Sequence, residues 1–504
     1  MKKLNLFSAT AIGVGSIIGS GWLFAAYYAA KFAGPISILS WIIGAAIALA
    51  VALLLAEIAT IYQETGLFSR LLTITHNRDY GFLIAAANWF SMIVIIPSEA
   101  VATVQYLATS VPSIKHYIFY NETLTGIGIA FVCLLIVVYG LLNYWGARLL
   151  AHSNNIITTI KLLIPLAIGI IIIWVGFHPS NFIAYKNTIA PYGISNAFKA
   201  VVSCGIFYAF YGFSMITVFA KELENPQRNI PLALVASVVL CLIIYLVLQV
   251  AFIGAIPPDL VANGWHNLNY SSPLVDLSIL LGLNWLAIVL YATATLSPSG
   301  SGIVYTGSGA RMLNGMALDH QMPKVFAKLH PKFFISRTSL VFTILLSMIL
   351  ITFFDNWQKI VVIVTVFQII SCIAVPIAFS KLRQSEPNTV RTFRLPFGKT
   401  ISLITYVALT YLLIQSGFSA LILSLFTFLI LFLMYGFSYY KSNMTHIIRA
   451  FMSAWSLFAY LAFIAGFGWF HDKGTLNAPI VLSTFIVISV IFFWLLIRQK
   501  AYNK

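Results

Sequence analysis

Apolar residues fall into long runs along this chain, and short polar stretches separate the runs. About 17 or more apolar residues in a row suffice for a helix that crosses the hydrocarbon core of a bilayer. Such runs lie near residues 6–31, 35–62, 82–111, 124–142, 154–177, 197–219, 232–256, 284–308, 339–355, 360–381, 400–416, 418–439, 448–470 and 479–497. The pattern therefore predicts an all-α polytopic membrane protein with about fourteen transmembrane helices.

Charged residues lie mostly between these runs, and their distribution indicates an orientation. The chain is 60% hydrophobic and only 8% charged, which excludes a soluble globular protein. With the N-terminus placed inside, most of the 29 lysines and arginines fall in inner loops, and those at outer ends are Lys31, Lys115, Lys186, Lys199, Lys359 and Lys473. The positive-inside rule then predicts a multi-pass protein of the inner or plasma membrane with both termini in the cytoplasm. The net charge of +16 thus reflects topology and gives no reason to expect a nucleic-acid partner.

The first apolar run carries a cluster of small residues at its centre. Between Gly15 and Gly21 the sequence reads GSIIGSG. Glycine weakens a helix by about 1 kcal/mol relative to alanine, and freed backbone groups in hydrocarbon need partners. A break at this depth is typical of transporters, in which half-helix ends face a bound substrate. A glycine-lined helix interface is the alternative that this segment alone leaves open.

Two further interruptions follow in the sixth and eighth runs. Aromatic residues surround Gly212 in the stretch 207–214, and the stretch 297–302 reads SPSGSG, which predicts irregular helix around Pro298. Breaks in runs 1 and 6 stand five helices apart. This spacing matches an inverted repeat of five helices and favours a binding site at the first break.

Few ionisable residues lie at membrane depth, and each is a functional candidate. Glu99 follows Pro97 near the centre of the third run, where a buried carboxyl group suits proton uptake and release. A structural, hydrogen-bonded glutamic acid is the alternative. Lys161 lies inside the inner end of the fifth run and either takes part in coupling or snorkels to the interface. Glu57 lies near the inner end of the second run, and we interpret it as an interfacial carboxylate.

Catalytic and metal-binding constellations do not emerge from the sequence. The four cysteines lie within apolar runs without metal or disulfide spacing, and the nine histidines lie in loops or at the ends of runs. We therefore expect neither an enzyme nor a metal or cofactor. A channel would favour repeated polar stripes along its pore, whereas polarity here is concentrated at three breaks.

Several motifs resemble, in the same order, those of the amino acid/polyamine/organocation transporters. The resemblance covers residues 7–439, and it rests on the glycine cluster 15–21, the stretch KELENPQRNIP at 221–231, the stretch from Arg311 to Pro331 and the stretch RLPFG at 394–398. The segments 142–145 and 249–257 and the two extra C-terminal helices are most similar to the branch that includes bacterial aspartate:proton symporters.

The resemblance implies a fold and an activity. The expected fold is a LeuT-like five-plus-five inverted repeat with broken helices 1 and 6. Its expected parts are a transport core (6–381), a cytoplasmic loop (382–399), four peripheral helices (400–497) and cytoplasmic termini (1–5 and 498–504). The expected activity is amino acid uptake by proton symport through alternating access, with amino acid exchange as the alternative. Acidic and neutral substrates both stay open, because Lys161 and Lys199 are not evidently placed for a second carboxylate.

The resemblance also assigns a substrate site by position. Ser20 and Gly21 match residues that hold the substrate carboxylate, and the carbonyl groups of Ile17, Tyr208 and Tyr211 match those that accept from the amine. Tyr208 also matches an aromatic residue that closes over the substrate. The predicted substrate-binding residues are Ile17, Gly19, Ser20, Gly21, Tyr208, Tyr211 and Gly212.

Proton coupling is assigned to a second group of residues. Lys161 falls where some family members have a lysine in place of a sodium ion between helices 1, 5 and 8, which makes the serines from Ser297 to Ser301 expected partners. Glu99 is the second candidate proton carrier. The chain departs from the family at Ser214, where many members carry a glutamate. The expected partners are an amino acid, protons and the lipid bilayer, with the oligomeric state left open.

Overall fold

The protein is almost entirely helical in the computed structural model, which describes residues 4–62, 67–120, 123–145, 148–333, 335–439, 444–475 and 478–499. Residues 1–3 and 500–504 of the predicted termini lie outside the described residues. The α-helices are α1 (Leu6–Ile17), α2 (Gly21–Ala33), α3 (Ser37–Ile61), α4 (Leu67–Thr75), α5 (Arg78–Ser110), α6 (Pro112–Ile118), α7 (Gly126–Tyr144), α8 (Arg148–Gly176), α9 (Ser195–Ser203), α10 (Ile206–Phe210), α11 (Pro226–Ala255), α12 (Pro258–Ala262), α13 (Pro273–Leu280), α14 (Asn284–Leu318), α15 (Arg337–Phe353), α16 (Trp357–Ser385), α17 (Gly398–Ile414), α18 (Phe418–Tyr439), α19 (Met444–Asp472) and α20 (Pro479–Arg498).

Short elements complete the chain. Strands β1 (Phe119–Tyr120) and β2 (Thr123–Leu124) form one small antiparallel pair. The 3₁₀ helices are Gly34–Ile36, Pro179–Phe182, Phe213–Glu222, Trp265–Asn267 and Lys324–Ala327.

Ten of the described helical segments are long and apolar enough to cross a membrane. The number becomes 11 when the bent pair Ser195–Ser203 and Ile206–Thr217, which meets at 61°, is counted as one span. Three shorter apolar helices, α1, α15 and α17, lie at predicted runs 1, 9 and 11. The protein is thus an all-helical membrane protein, and the number of fourteen spans stays a prediction.

The chain leaves regular helix at two glycine-containing places, after α1 and after α10. Helix α1 ends at Ile17, and α2 begins at Gly21. Helix α10 ends at Phe210. Two residues later, Gly212 has a φ of +124°, a backbone conformation that favours glycine. A Cβ atom on Gly212 would lie 2.6 Å from the Ser16 carbonyl oxygen. The two interruptions therefore pack directly against each other.

The prediction of an interruption in the eighth run is wrong. Helix α14 continues without a break from Asn284 to Leu318, although it contains Pro298. A proline removes one backbone donor, and a long packed helix can accommodate this loss. The glycines of this stretch allow close packing instead, because Gly302 lies directly against the Tyr139 ring. Ser297 and Ser301 are both buried.

Helix α5 is the central element of the fold, and it carries Glu99. Nearly all of its residues are buried, and it packs against α14, α16, α4, α7 and α15. The peripheral helices α18 and α19 also pack against it. A residue at the middle of α5 is therefore enclosed by other helices.

Glu57 lies in a buried ionic cluster at the end of α3. Its carboxylate accepts from Arg383 Nε at 2.9 Å and Nη2 at 2.6 Å, and from the Leu395 backbone N–H at 2.7 Å. Arg391 Nε lies 3.2 Å from the same carboxylate. Glu57 is 1% exposed, so the expectation of an ordinary interfacial carboxylate is wrong. The cluster joins α3 to the end of α16 and to the stretch that begins at Arg394.

Replacing Glu57 by glutamine is expected to lower the free energy of unfolding by about 3–5 kcal/mol, because the buried guanidinium groups lose their counter-charge. The control is Asp355→Asn, which removes an exposed pair with Lys359 at 2.8 Å and is expected to cost less than about 1 kcal/mol. Unfolding of the detergent-solubilised variants measures both. Equal losses in the two variants would contradict a structural role for the cluster.

Candidate functional site

The gap between α1 and α2 faces the carboxyl group of Glu99. The Ser20 backbone N–H donates to Glu99 Oε1 at 3.2 Å, and the Tyr208 hydroxyl donates to the same oxygen. The Ser20 Oγ atom lies 3.1 Å from the Tyr208 hydroxyl oxygen. All three residues are buried. The first break, the second break and the centre of α5 therefore meet at one point.

Close packing explains why glycines stand at this break. A Cβ atom on Gly19 would clash with the Glu99 carboxylate, and one on Gly21 would lie 2.8 Å from the Ala209 Cβ atom. The glycines that favour a broken helix therefore also allow α5 and α10 to pack closely against the break. A larger side chain at either position would force the elements apart.

Lys161 of α8 points toward the end of α1. Its Nζ atom donates to the Ile18 carbonyl at 3.0 Å, to the Gly15 carbonyl at 3.4 Å and to Ser301 Oγ at 2.9 Å. The side chain is 6% exposed, so it does not snorkel to an interface. The ammonium group therefore joins α1, α8 and α14 at the carbonyl side of the break.

Ser297 lies one helical turn from this contact and has a different partner. It accepts from Trp22 Nε1 at 3.4 Å, whereas Ser301 contacts Lys161. Both Ser297 and Lys161 line a cavity of about 130 Å³ with mostly apolar walls. Of the serines in the stretch 297–301 that the resemblance makes expected partners of Lys161, Ser301 is therefore the one that contacts it.

Two of the three predicted amine-binding carbonyl groups, those of Ile17 and Tyr208, have partners inside the breaks. The Ile17 carbonyl accepts from the Gly19 N–H at 3.1 Å, and the Tyr208 carbonyl accepts from the Tyr211 N–H at 3.1 Å. The Tyr211 hydroxyl donates to Asn88 Oδ1 at 2.7 Å. Each carbonyl oxygen retains a second lone pair for a further donor.

Trp357, the first residue of α16, covers the site on the side away from the α1 start. Its Nε1 atom donates to Ser20 Oγ at 2.9 Å. Its ring stacks on Tyr28 with centroids 5.8 Å apart and meets Tyr208 edge-on at 6.1 Å. Sequence reasoning missed Trp357, because one tryptophan at a helix start gives no periodic signal.

A cavity of about 300 Å³ lies on the opposite side of the site. Asn88, Met92 and Ser214 line it near the second break, and Arg70, Arg311 and Asp319 line it farther away. Arg70 Nε lies 3.8 Å from the Asp319 carboxylate, and among the described residues no carboxylate pairs with Arg311. Sequence reasoning considered only lysines as cations and missed these two arginines.

Replacing Trp357 by phenylalanine is expected to weaken amino acid binding about fivefold to tenfold, the equivalent of one lost hydrogen bond of about 1 kcal/mol. Phenylalanine keeps an aromatic ring against Tyr28 but cannot donate to Ser20. The matched control is Trp89→Phe, because Trp89 is buried and its Nε1 has no hydrogen-bond partner among the described residues. Binding of labelled amino acid to both purified variants gives the comparison, and equal affinities would contradict this role of Trp357.

Comparisons with known proteins agree on one family. The model of the amino acid permease family matches residues 4–451. The chain is 40% identical over 398 residues to the glutamate/serine transporter AimA of Bacillus subtilis, covering 78% of this chain and 74% of AimA. It is 31% identical over 505 residues to the aspartate-proton symporter of the same organism, covering 98% and 96% of the two chains. These relatives are transporters and not enzymes.

A solved structure shares the fold. The manganese transporter of Eremococcus coleocola superposes with a TM-score of 0.54 at 12% identity, covering 96% of each chain. This likeness concerns the fold alone, and the described residues hold no group of three or more histidine, cysteine or acidic side chains that could bind a metal ion. With the family model over most of the sequence, the resemblance inferred from the motifs is confirmed: the chain belongs to the amino acid permease family.

Proposed function

We propose that the protein is a proton-coupled amino acid importer of the cell membrane that works by alternating access. The aspartate-proton symporter, to which the chain is similar along nearly its whole length, supports amino acid transport with proton coupling. The proposed architecture is a five-plus-five inverted repeat of residues 6–381, followed by the loop 382–399 and four peripheral helices in 400–497. The basic loops favour fourteen spans with both termini in the cytoplasm.

One observation carries the proposal: the start of α2 is buried and faces the second break. The Ser20 N–H and the Tyr208 hydroxyl converge there within reach of one carboxylate oxygen. The first N–H groups of a helix have no helical partners and favour a negative charge. The carbonyl groups of Ile17, Tyr208 and Tyr211 supply acceptors for the ammonium group. We therefore assign substrate binding to Ile17, Gly19, Ser20, Gly21, Tyr208, Tyr211 and Gly212.

Proton coupling is assigned to Lys161 and Glu99. A charged Lys161 attracts the carbonyl ends of α1 and holds α1 against α8 and α14. A neutral Lys161 loses most of this attraction, because ionised donors form stronger hydrogen bonds than neutral ones. Loss of its proton would let α1 separate from α8 during the transport cycle. Ser301 is the proposed hydroxyl partner, with Ser297 in the adjoining cavity.

The substrates we propose are glutamate, aspartate and serine. The relatives named for glutamate and serine and for aspartate support this range. The cavity beyond the second break adds an argument for the acidic substrates. Arg311 lines this cavity, and no carboxylate among the described residues pairs with it, so the cavity attracts anions. By the proposed orientation it opens toward the cytoplasm, and Trp357 covers the outer side.

Uptake into proteoliposomes tests the proposal. An inward proton gradient is imposed, and labelled L-glutamate, L-aspartate or L-serine is added outside. We expect accumulation above the external concentration that a protonophore abolishes. Uptake that occurs only when the vesicles are preloaded with amino acid would identify an exchanger, and it would overturn proton symport.

A further inference from the structure

Glu99 occupies the position that the proposed function gives to the substrate carboxylate. We infer that the Glu99 carboxylate caps the start of α2 in the substrate-free protein and that proton uptake by Glu99 releases this position to the substrate. The inference rests on the proposed function, because it concerns the same site. It adds a competition between an internal carboxylate and the carboxylate of the transported amino acid.

The contacts at Ser20 carry the inference. Glu99 Oε1 accepts from both donors that converge at the break, the Ser20 N–H and the Tyr208 hydroxyl. These are the donors that a substrate carboxylate at this position would need. A hydroxyl and a single backbone N–H cannot serve two carboxylates in full. Two ionised carboxylates at contact distance also repel each other, which disfavours joint occupancy.

Two further observations show that the break is built around this carboxylate. Gly19 has no room for a Cβ atom, because the Glu99 carboxylate lies where that atom would be. Glu99 is 1% exposed, yet its Oε2 atom has no hydrogen-bond partner among the described residues. A buried ionised oxygen without a donor is costly. Uptake of a proton relieves that cost.

The surroundings of Glu99 limit which groups can titrate with it. Among the described residues, Lys161 is the cation that faces it, and the other titratable groups near it are tyrosines of α7, α10, α11 and α14: Tyr139, Tyr208, Tyr245 and Tyr305. Tyrosines keep their protons between about pH 5.5 and 8. A pH effect on binding in this range therefore comes from Glu99 or Lys161, and variants of the two separate these sources.

Competition of this kind links substrate binding to proton uptake. An ionised Glu99 occupies the Ser20 N–H and the Tyr208 hydroxyl. The substrate carboxylate can bind these donors only after Glu99 takes up a proton or moves away from them. The apparent Kd should then rise with pH, by up to about tenfold per pH unit where Glu99 titrates. The ammonium and carboxylate groups of L-serine keep their charges over the same range, so the ligand itself adds no pH dependence.

Binding of labelled L-serine to the purified protein in nanodiscs tests this inference between about pH 5.5 and 8. In the parent we expect affinity to fall as pH rises and about one proton to be taken up per serine bound at the alkaline end. Glu99→Gln should bind serine with little pH dependence, without proton uptake, and more tightly than the parent at the highest pH. Glu99→Asp keeps a carboxylate on a shorter side chain, so it should retain the pH dependence of serine binding. It is the second variant to measure if Glu99→Gln does not fold.

Lys161→Arg is the matched control, because it removes the other titratable group and keeps the positive charge that faces Glu99. We expect this variant to retain the rise of Kd with pH. Weaker binding by Glu99→Gln at every pH with an unchanged slope would overturn the inference and leave Glu99 as a structural group. Loss of the slope in Lys161→Arg alone would overturn it as well. Absence of serine, glutamate and aspartate binding in the parent at every pH would instead overturn the proposed function.

Discussion

Lys161→Ala is expected to abolish proton-driven accumulation of amino acid and to leave only equilibration across the membrane. The ammonium group joins the Gly15 and Ile18 carbonyls of helix 1 to Ser301, and alanine removes all three contacts at once. Each hydrogen bond from a charged donor contributes about 1.5–3 kcal/mol, so the contact between α1 and α8 weakens strongly. Concentrative uptake in proteoliposomes with an inward proton gradient measures the effect, and we expect a loss of at least about tenfold.

Two variants sharpen this test. Lys161→Arg keeps a positive charge but cannot release its proton, so it should bind substrate without proton-driven accumulation. Lys199→Ala removes a partly buried lysine of α9, which sequence reasoning considered beside Lys161, and should accumulate amino acid like the parent. Parental accumulation by Lys161→Ala would show that the lysine is structural and would make Glu99 the leading candidate for coupling.

The residues at the broken helices could be predicted from sequence because their signals are local. Three glycines within seven residues disfavour a regular helix in hydrocarbon, and the matching break five helices later favours a break over a glycine-lined interface. Glu99 and Lys161 are identified by charge at membrane depth, a property that needs no contact information. The family motifs then relate these positions to one site. The contacts described here add the partners, such as the Ser20 N–H for Glu99 and the Ile18 carbonyl for Lys161.

The remaining features depend on contacts between distant parts of the chain. Trp357 meets Ser20 across 337 positions of sequence, and nothing near either residue indicates the pairing. Arg383 meets Glu57 across 326 positions in the same way. The prediction of a break around Pro298 was wrong for a different reason. Proline and glycine predict a break from local propensity, but tertiary packing keeps α14 helical.

The size of residue 21 controls how closely the two broken helices approach. A Cβ atom there would lie 2.8 Å from the Ala209 Cβ atom and 3.3 Å from its Cα atom. Valine at this position adds two further methyl groups, so α2 and α10 are forced apart and the Ser20 N–H moves away from the Tyr208 hydroxyl. Overpacking of this kind typically costs about 1–3 kcal/mol, and the loss falls on the donors of the substrate site.

Gly21→Val is therefore expected to weaken binding of labelled L-serine by at least about a hundredfold, because both converging donors are displaced. Gly466→Val in α19 is the matched control, since a Cβ atom there meets nothing within 4 Å, and it should bind serine like the parent. The double variant Gly21→Ala with Ala209→Gly separates the clash from any other effect of residue 21, because it moves the extra methyl group to the other helix. It should bind serine more tightly than Gly21→Ala alone. Unchanged affinity in a monodisperse Gly21→Val protein would show that the substrate carboxylate binds elsewhere.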